Sequence, residues 1–90
     1  MNKDRRNRLN ALIEEIAKIS VLVDDLKSEV EGIRDEEQEY YDNMPESFQN
    51  GEKGTAATDA VDALDEAITA LEEIETQVSE FESAINMATE

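Results

Sequence analysis

Large apolar residues recur through the first half of the chain at alternating spacings of three and four: Leu9, Leu12, Ile16, Ile19, Val23, Leu26, Val30 and Ile33, then Tyr40 and Met44. This is a heptad. With Leu9 at position a, Ile16, Val23 and Val30 also fall at a, and Leu12, Ile19, Leu26 and Ile33 fall at d. One stripe of the resulting helix is apolar and needs another helix against it. Only Glu37 interrupts the row. The pattern predicts a helix over about residues 3–43, which at ~1.5 Å per residue is roughly 60 Å long.

The segment from Asn43 to Gly54 gathers the only Pro and two of the three Gly, so a turn is predicted over about residues 44–54. Thr55 then offers a side-chain oxygen to cap a second helix over about residues 55–88, with Asp59 early enough to favour the positive end of its dipole. The large apolar residues of that helix are Val61, Leu64, Ile68, Leu71, Ile74, Val78, Phe81 and Ile85, with a three-plus-three step at Ile74 where the strict heptad slips. Beside them runs a row of small residues, Ala60, Ala63, Ala67 and Ala70, which widens the apolar face and admits a closely approaching backbone.

Two long helices joined by a short turn fold back most simply as an all-α, antiparallel, coiled-coil-like helical hairpin, one domain over residues 1–90. A lone hairpin this short has little core to offset its conformational entropy, and it leaves Ile13, Val21, Leu22 and the alanine row exposed. Pairing of two hairpins into a four-helix bundle, a homodimer, buries those leftovers with the lowest closed symmetry. Gly32 falls at an outward c position, either as the mark of a bend or as a tolerated surface glycine.

Chemistry is narrowed by what is missing. The chain has no His and no Cys, so the usual general base, the soft metal ligands and the thiol nucleophile are absent. No calcium-type loop, Glu-x-x-His pair, glycine-rich phosphate loop or nucleophile elbow occurs, and paired carboxylates on a hairpin lack the cleft that glycoside hydrolysis needs. The expectation is a protein that is not an enzyme and holds no metal or cofactor. No apolar run reaches the roughly 18 residues of a membrane span, and the basic start lacks the apolar stretch of a signal peptide, which points to a cytoplasmic chain with no membrane partner.

Charge supplies the positive signal. There are 24 acids against 8 bases, a net −16, and the chain after Lys53 has ten acids with no Lys or Arg. Like-charge neighbours such as Asp62 and Glu66 each cost a few tenths of a kcal/mol, about what an opposite-charge pair would contribute. Such a surface repels nucleic acid and attracts cationic proteins. The first eight residues reverse the sign: Lys3, Arg5, Arg6 and Arg8 outweigh Asp4. At a helix start these cations oppose the dipole, so the expectation is fraying, or pairing with Glu80, Glu82 and Glu90 of the returning helix, rather than a nucleic-acid arm.

A paired rod with this charge approaches the one charge per ~1.7 Å of duplex DNA at a similar girth, which suggests a DNA mimic whose carboxylates stand where phosphates would. Its partner would be a basic, DNA-binding protein. The outward acids carrying that role are Asp35, Glu36, Glu39, Asp62, Asp65, Glu66, Glu72 and Glu73. Tyr40, Tyr41, Met44 and Phe48 cluster at the turn, either as a plug closing the hairpin against Val61 and Leu64 or as an aromatic anchor ringed by acids, with Tyr40 and Tyr41 as partner-binding residues. Other readings of the charge are a solubilising coat on a structural, assembly or docking coiled coil, and an acidic antidote to a basic toxin.

The stretch DEEQEYYDNMPESFQNGEKG, followed after three residues by TDAVDALDEAITALEEI, resembles small acidic two-helix proteins encoded in bacteriophage and prophage genomes. The likeness covers about residues 28–75. Those proteins carry no settled biochemical activity, so the resemblance implies a phage setting, with a host DNA-binding protein such as a defence enzyme as the mimic's partner, and assigns no functional residue.

Overall fold

A computed structural model describes all residues, 1–90. The chain is all-α and elongated, with extents of 69 × 15 × 13 Å between Cα positions. It consists of α1 (Lys3–Asp42), α2 (Glu46–Gln49) and α3 (Glu52–Thr89). The long helices lie side by side, and low-numbered residues of α1 meet high-numbered residues of α3: Ile16 and Ile19 line one groove with Val78 and Phe81, Lys27 reaches Glu75, and Arg34 reaches Asp65. No helix is long and apolar enough to cross a membrane.

The start of α1 is not left uncapped, and the helix begins at Lys3. Asn2 is its N-cap, and the Asn2 side chain accepts a hydrogen bond from the Arg5 amide at 2.8 Å. Nor do the N-terminal cations pair with Glu80, Glu82 or Glu90. Arg8 lies 3.7 Å from Asp4 one turn back in its own helix, and Lys3, Arg5 and Arg6 form no ion pair.

The turn contains an element that the sequence pattern does not announce. Pro45 opens α2, its carbonyl accepting from the amides of Phe48 and Gln49. The Gln49 side-chain amide donates to the Tyr41 carbonyl at 3.0 Å, tying α2 to the last turn of α1. Helix α3 then begins three residues before the expected cap, with Gly51 at the cap position. Thr55 lies inside the helix and donates its hydroxyl to the Gly51 carbonyl at 3.1 Å. A helical turn continues wherever backbone donors find acceptors, and here the Thr55 amide also bonds to Gly51. Helix α2 passes so close to α3 at Gly54 that a Cβ there would collide with the Gln49 backbone.

The seam is rotated from the expected one. On α1, Ile16 and Val23 are buried, and Leu9, Ile13, Lys27, Val30, Arg34, Glu37 and Tyr41 are partly buried, which are positions a and e. The d residues are left half exposed: Leu12 47%, Ile19 48%, Leu26 47% and Ile33 46%. Rotation toward e brings two cations of α1, Lys27 and Arg34, to acids of α3. On α3 the inward row is Gly54, Ala57, Val61, Leu64, Ile68, Leu71, Glu75, Val78, Glu82 and Ile85, an unbroken heptad. The expected slip at Ile74 does not occur. Ile74 and Phe81 stand outside at 41% and 54% exposure, because a regular helix holding its register must carry Glu75 and Glu82 inward.

Candidate functional site

The eight candidate acids, Asp35, Glu36, Glu39, Asp62, Asp65, Glu66, Glu72 and Glu73, are all exposed. On α3, Asp65 and Glu72 are one heptad apart, as are Glu66 and Glu73, so these carboxylates form adjacent rows on one side of the helix. Two of the eight are engaged. The Arg34 guanidinium donates to Asp65 Oδ1 at 2.9 Å and, through Nη2 at 2.9 Å and Nε at 3.2 Å, to Asp35 Oδ1. These bonds, that to Asp65 first, hold Arg34 more firmly protonated than an ordinary arginine. The Arg34–Asp65 bond therefore ties the two helices, with Asp35 bracing the guanidinium from its own helix. The other six acids have no cation within ion-pair distance.

Charge is distributed very unevenly along the rod. Residues 23–75, the half nearer α2, hold 18 acids and 3 bases, a net −15; the remaining residues hold 6 acids and 5 bases, a net −1. All eight candidate acids lie in the strongly charged half.

The two tyrosines part company. Tyr41 is partly buried in the seam, whereas Tyr40 is 53% exposed and extends the α1 d row. Tyr40 lines a cavity of about 330 Å³ with Asn43, Met44, Pro45, Phe48 and Lys53. The expected plug against Val61 and Leu64 is thus divided: Tyr41 packs inward, Tyr40 and Phe48 stand outward, and the end of the seam is closed by the Gln49 backbone of α2 against Gly54. The Lys53 ammonium sits 5.5 Å from the Phe48 ring centroid, a cation–π contact.

One carboxyl in the seam was not anticipated. Glu75 Oε1 is buried without a hydrogen-bond partner, and Oε2 lies 4.0 Å from Lys27 Nζ. A proton on Glu75 would supply the missing donor to the neighbouring Asp24. That hydrogen bond, with burial, raises the affinity of Glu75 for its proton above the usual carboxylate value, against the opposing effect of Lys27. No three acidic side chains converge where a metal ion would sit.

The exposed d row lies along three concavities. Leu12 borders one of about 380 Å³ with Met1, Arg5, Arg8 and Leu9. Ile19 borders one of about 270 Å³ with Ile16, Ile74, Gln77, Val78 and Phe81. Tyr40 borders the third, at the turn. The d row of α1 and the outer apolar row of α3 meet at the second of these, where Ile19 lines an open groove with Ile74 and Phe81. Ala63, Ala67 and Ala70 are exposed as expected, whereas Ile13 is drawn into the seam; nothing in the fold explains the exposure of Val21. The heptad alone does not flag this groove, because it is the rotation of the seam toward e that leaves the apolar d row uncovered. No protein-family model matches the chain, and neither does any curated protein or solved structure.

Proposed function

We propose that the chain is a non-enzymatic interaction protein: an antiparallel helical hairpin, paired with a second copy as a four-helix bundle, that presents its carboxylates to a basic, DNA-binding protein in place of duplex DNA. The observation that carries this reading is the set of six outward acids, Glu36, Glu39, Asp62, Glu66, Glu72 and Glu73, standing on rigid helices with no cation to neutralise them. A mimic needs charges held at fixed spacing and left unpaired, because its partner recognises phosphates through Lys and Arg contacts of defined geometry.

Magnitudes favour the same reading. A net −16 on a rod 69 Å long is about one charge per 4 Å, and a side-by-side pair carries about one per 2 Å, against one per ~1.7 Å for the duplex. A coat serving solubility alone needs a net charge of magnitude about 2–8 for a small domain, well below this one.

The experiment is capture of DNA-binding proteins from a bacterial lysate on the immobilised chain, followed by elution with rising salt or with duplex DNA. The expected result is release by competing duplex and a steep loss between about 50 and 200 mM salt. A variant with Glu36, Glu39, Glu66 and Glu72 changed to Gln and Asp62 to Asn should retain little. Equal retention by that variant, or capture indifferent to salt and duplex, contradicts the reading.

A further inference from the structure

We infer that the open groove is covered by a second copy of this chain laid end over end, with the twofold axis crossing the middle of the rod at Leu26. This rests on the proposed pairing of hairpins and adds its face and its orientation.

The face is self-complementary along its length. Leu12, Ile19, Leu26, Ile33 and Tyr40 are seven residues apart and all about half exposed. Turned about Leu26, this row sets Leu12 against Tyr40 of the second copy and Ile19 against Ile33, each ridge meeting an equivalent spacing. A face of 69 × 13 Å is roughly 900 Å², comparable with the ~800 Å² per partner that stable complexes bury.

Charge selects the orientation. Parallel copies would place two halves of net −15 side by side. End over end, each −15 half lies along a half of net −1, and the unpaired Arg5 and Arg6 come level with the Asp42–Glu46 end of the second copy. Like charges across an interface disfavour the parallel form, and these opposite charges favour the reversed one.

Side-chain size selects it again. The outer row of α3 is large toward the chain's ends, at Ile74 and Phe81, and small toward the turn, at Ala63, Ala67 and Ala70. Because Glu75 lies level with Lys27 and Asp65 with Arg34, reversal brings Phe81 level with the 65–71 stretch of the second copy, where Ala67 and Ala70 lie. Parallel copies would oppose Phe81 to Phe81 and leave the alanine half loosely packed.

The test is a distance between spin labels on the full chain. The sequence has no cysteine, so Asn7→Cys, at an exposed position far from the groove's centre, gives one label per copy. Position 7 is 19 residues from Leu26, so the reversed pair places the labels about 57 Å apart, and a parallel pair brings them within about 30 Å. In the same background Leu26→Glu should abolish the dipolar signal while helicity is retained. A short or any other distance in a species of doubled mass overturns the arrangement and leaves pairing intact. A monomeric mass with no dipolar signal overturns the pairing itself.

Discussion

Glu75 of α3 faces Lys27 of α1 at 4.0 Å across a seam otherwise lined by Ile68, Leu71 and Val78. The contact is at the edge of ion-pair range, and the second carboxylate oxygen has no partner, so the pair only partly offsets the cost of placing a carboxylate among apolar side chains. Glu75→Leu should therefore raise the thermal unfolding midpoint, with Asp24 remaining as a neighbour for Lys27. A lowered midpoint would show that the pair holds the helices together.

The same residue predicts a pH dependence. Asp24, Lys27 and Glu72 are the charged groups acting on Glu75, and the folded chain holds its proton more tightly than the unfolded chain does. A carboxyl with a raised folded pKa adds stability below its unfolded pKa, and that contribution is lost as pH rises through the folded value. Denaturant midpoints should therefore climb as pH falls from neutrality toward the ordinary carboxylate range, and Glu75→Gln should flatten part of the climb. Stability rising with pH across that interval would contradict the assignment.

Two glycines predict opposite outcomes. At Gly54 a Cβ would collide with the Gln49 backbone, so Gly54→Ala must separate α2 from α3 and should cost about 1–3 kcal/mol. At Gly32 a Cβ meets nothing within 4 Å, so Gly32→Ala in mid-helix should stabilise by about 1 kcal/mol. Chemical denaturation of the two single variants measures both.

Salt should stabilise this protein. Only five ion pairs are available to be screened, against repulsion among 24 acids, most of them in one half of the rod. With a Debye length of about 3 Å at 1 M, the repulsion between exposed carboxylates is largely removed. Thermal midpoints in low and in molar sodium chloride should differ in favour of the latter, and a fall would mean that the Arg34 clamp outweighs the repulsion.

The long helices are legible in the sequence, because a heptad repeated over five turns or more averages out local exceptions; the expected 3–43 became Lys3–Asp42. Helix α2 is not, since four residues after a proline carry no periodicity, and Thr55 misleads because a good capping residue is also tolerated within a first turn. The seam's rotation depends on tertiary pairing. Leu12, Ile19, Leu26 and Ile33 suit a seam as well as Ile13 and Tyr41 do, and the choice follows the partners of Lys27 and Arg34. The outward acids are legible from composition and period together, but the engagement of Asp35 and Asp65 with Arg34 across two helices is not.

Small-angle X-ray scattering with absolute calibration tests the paired rod most directly. The prediction is a particle of twice 10.1 kDa whose length stays near 69 Å while its cross-section widens, and a shift to single mass in Leu26→Glu. A wild-type particle of 10.1 kDa with the same length and unchanged helicity would contradict it, leaving the apolar groove open to solvent.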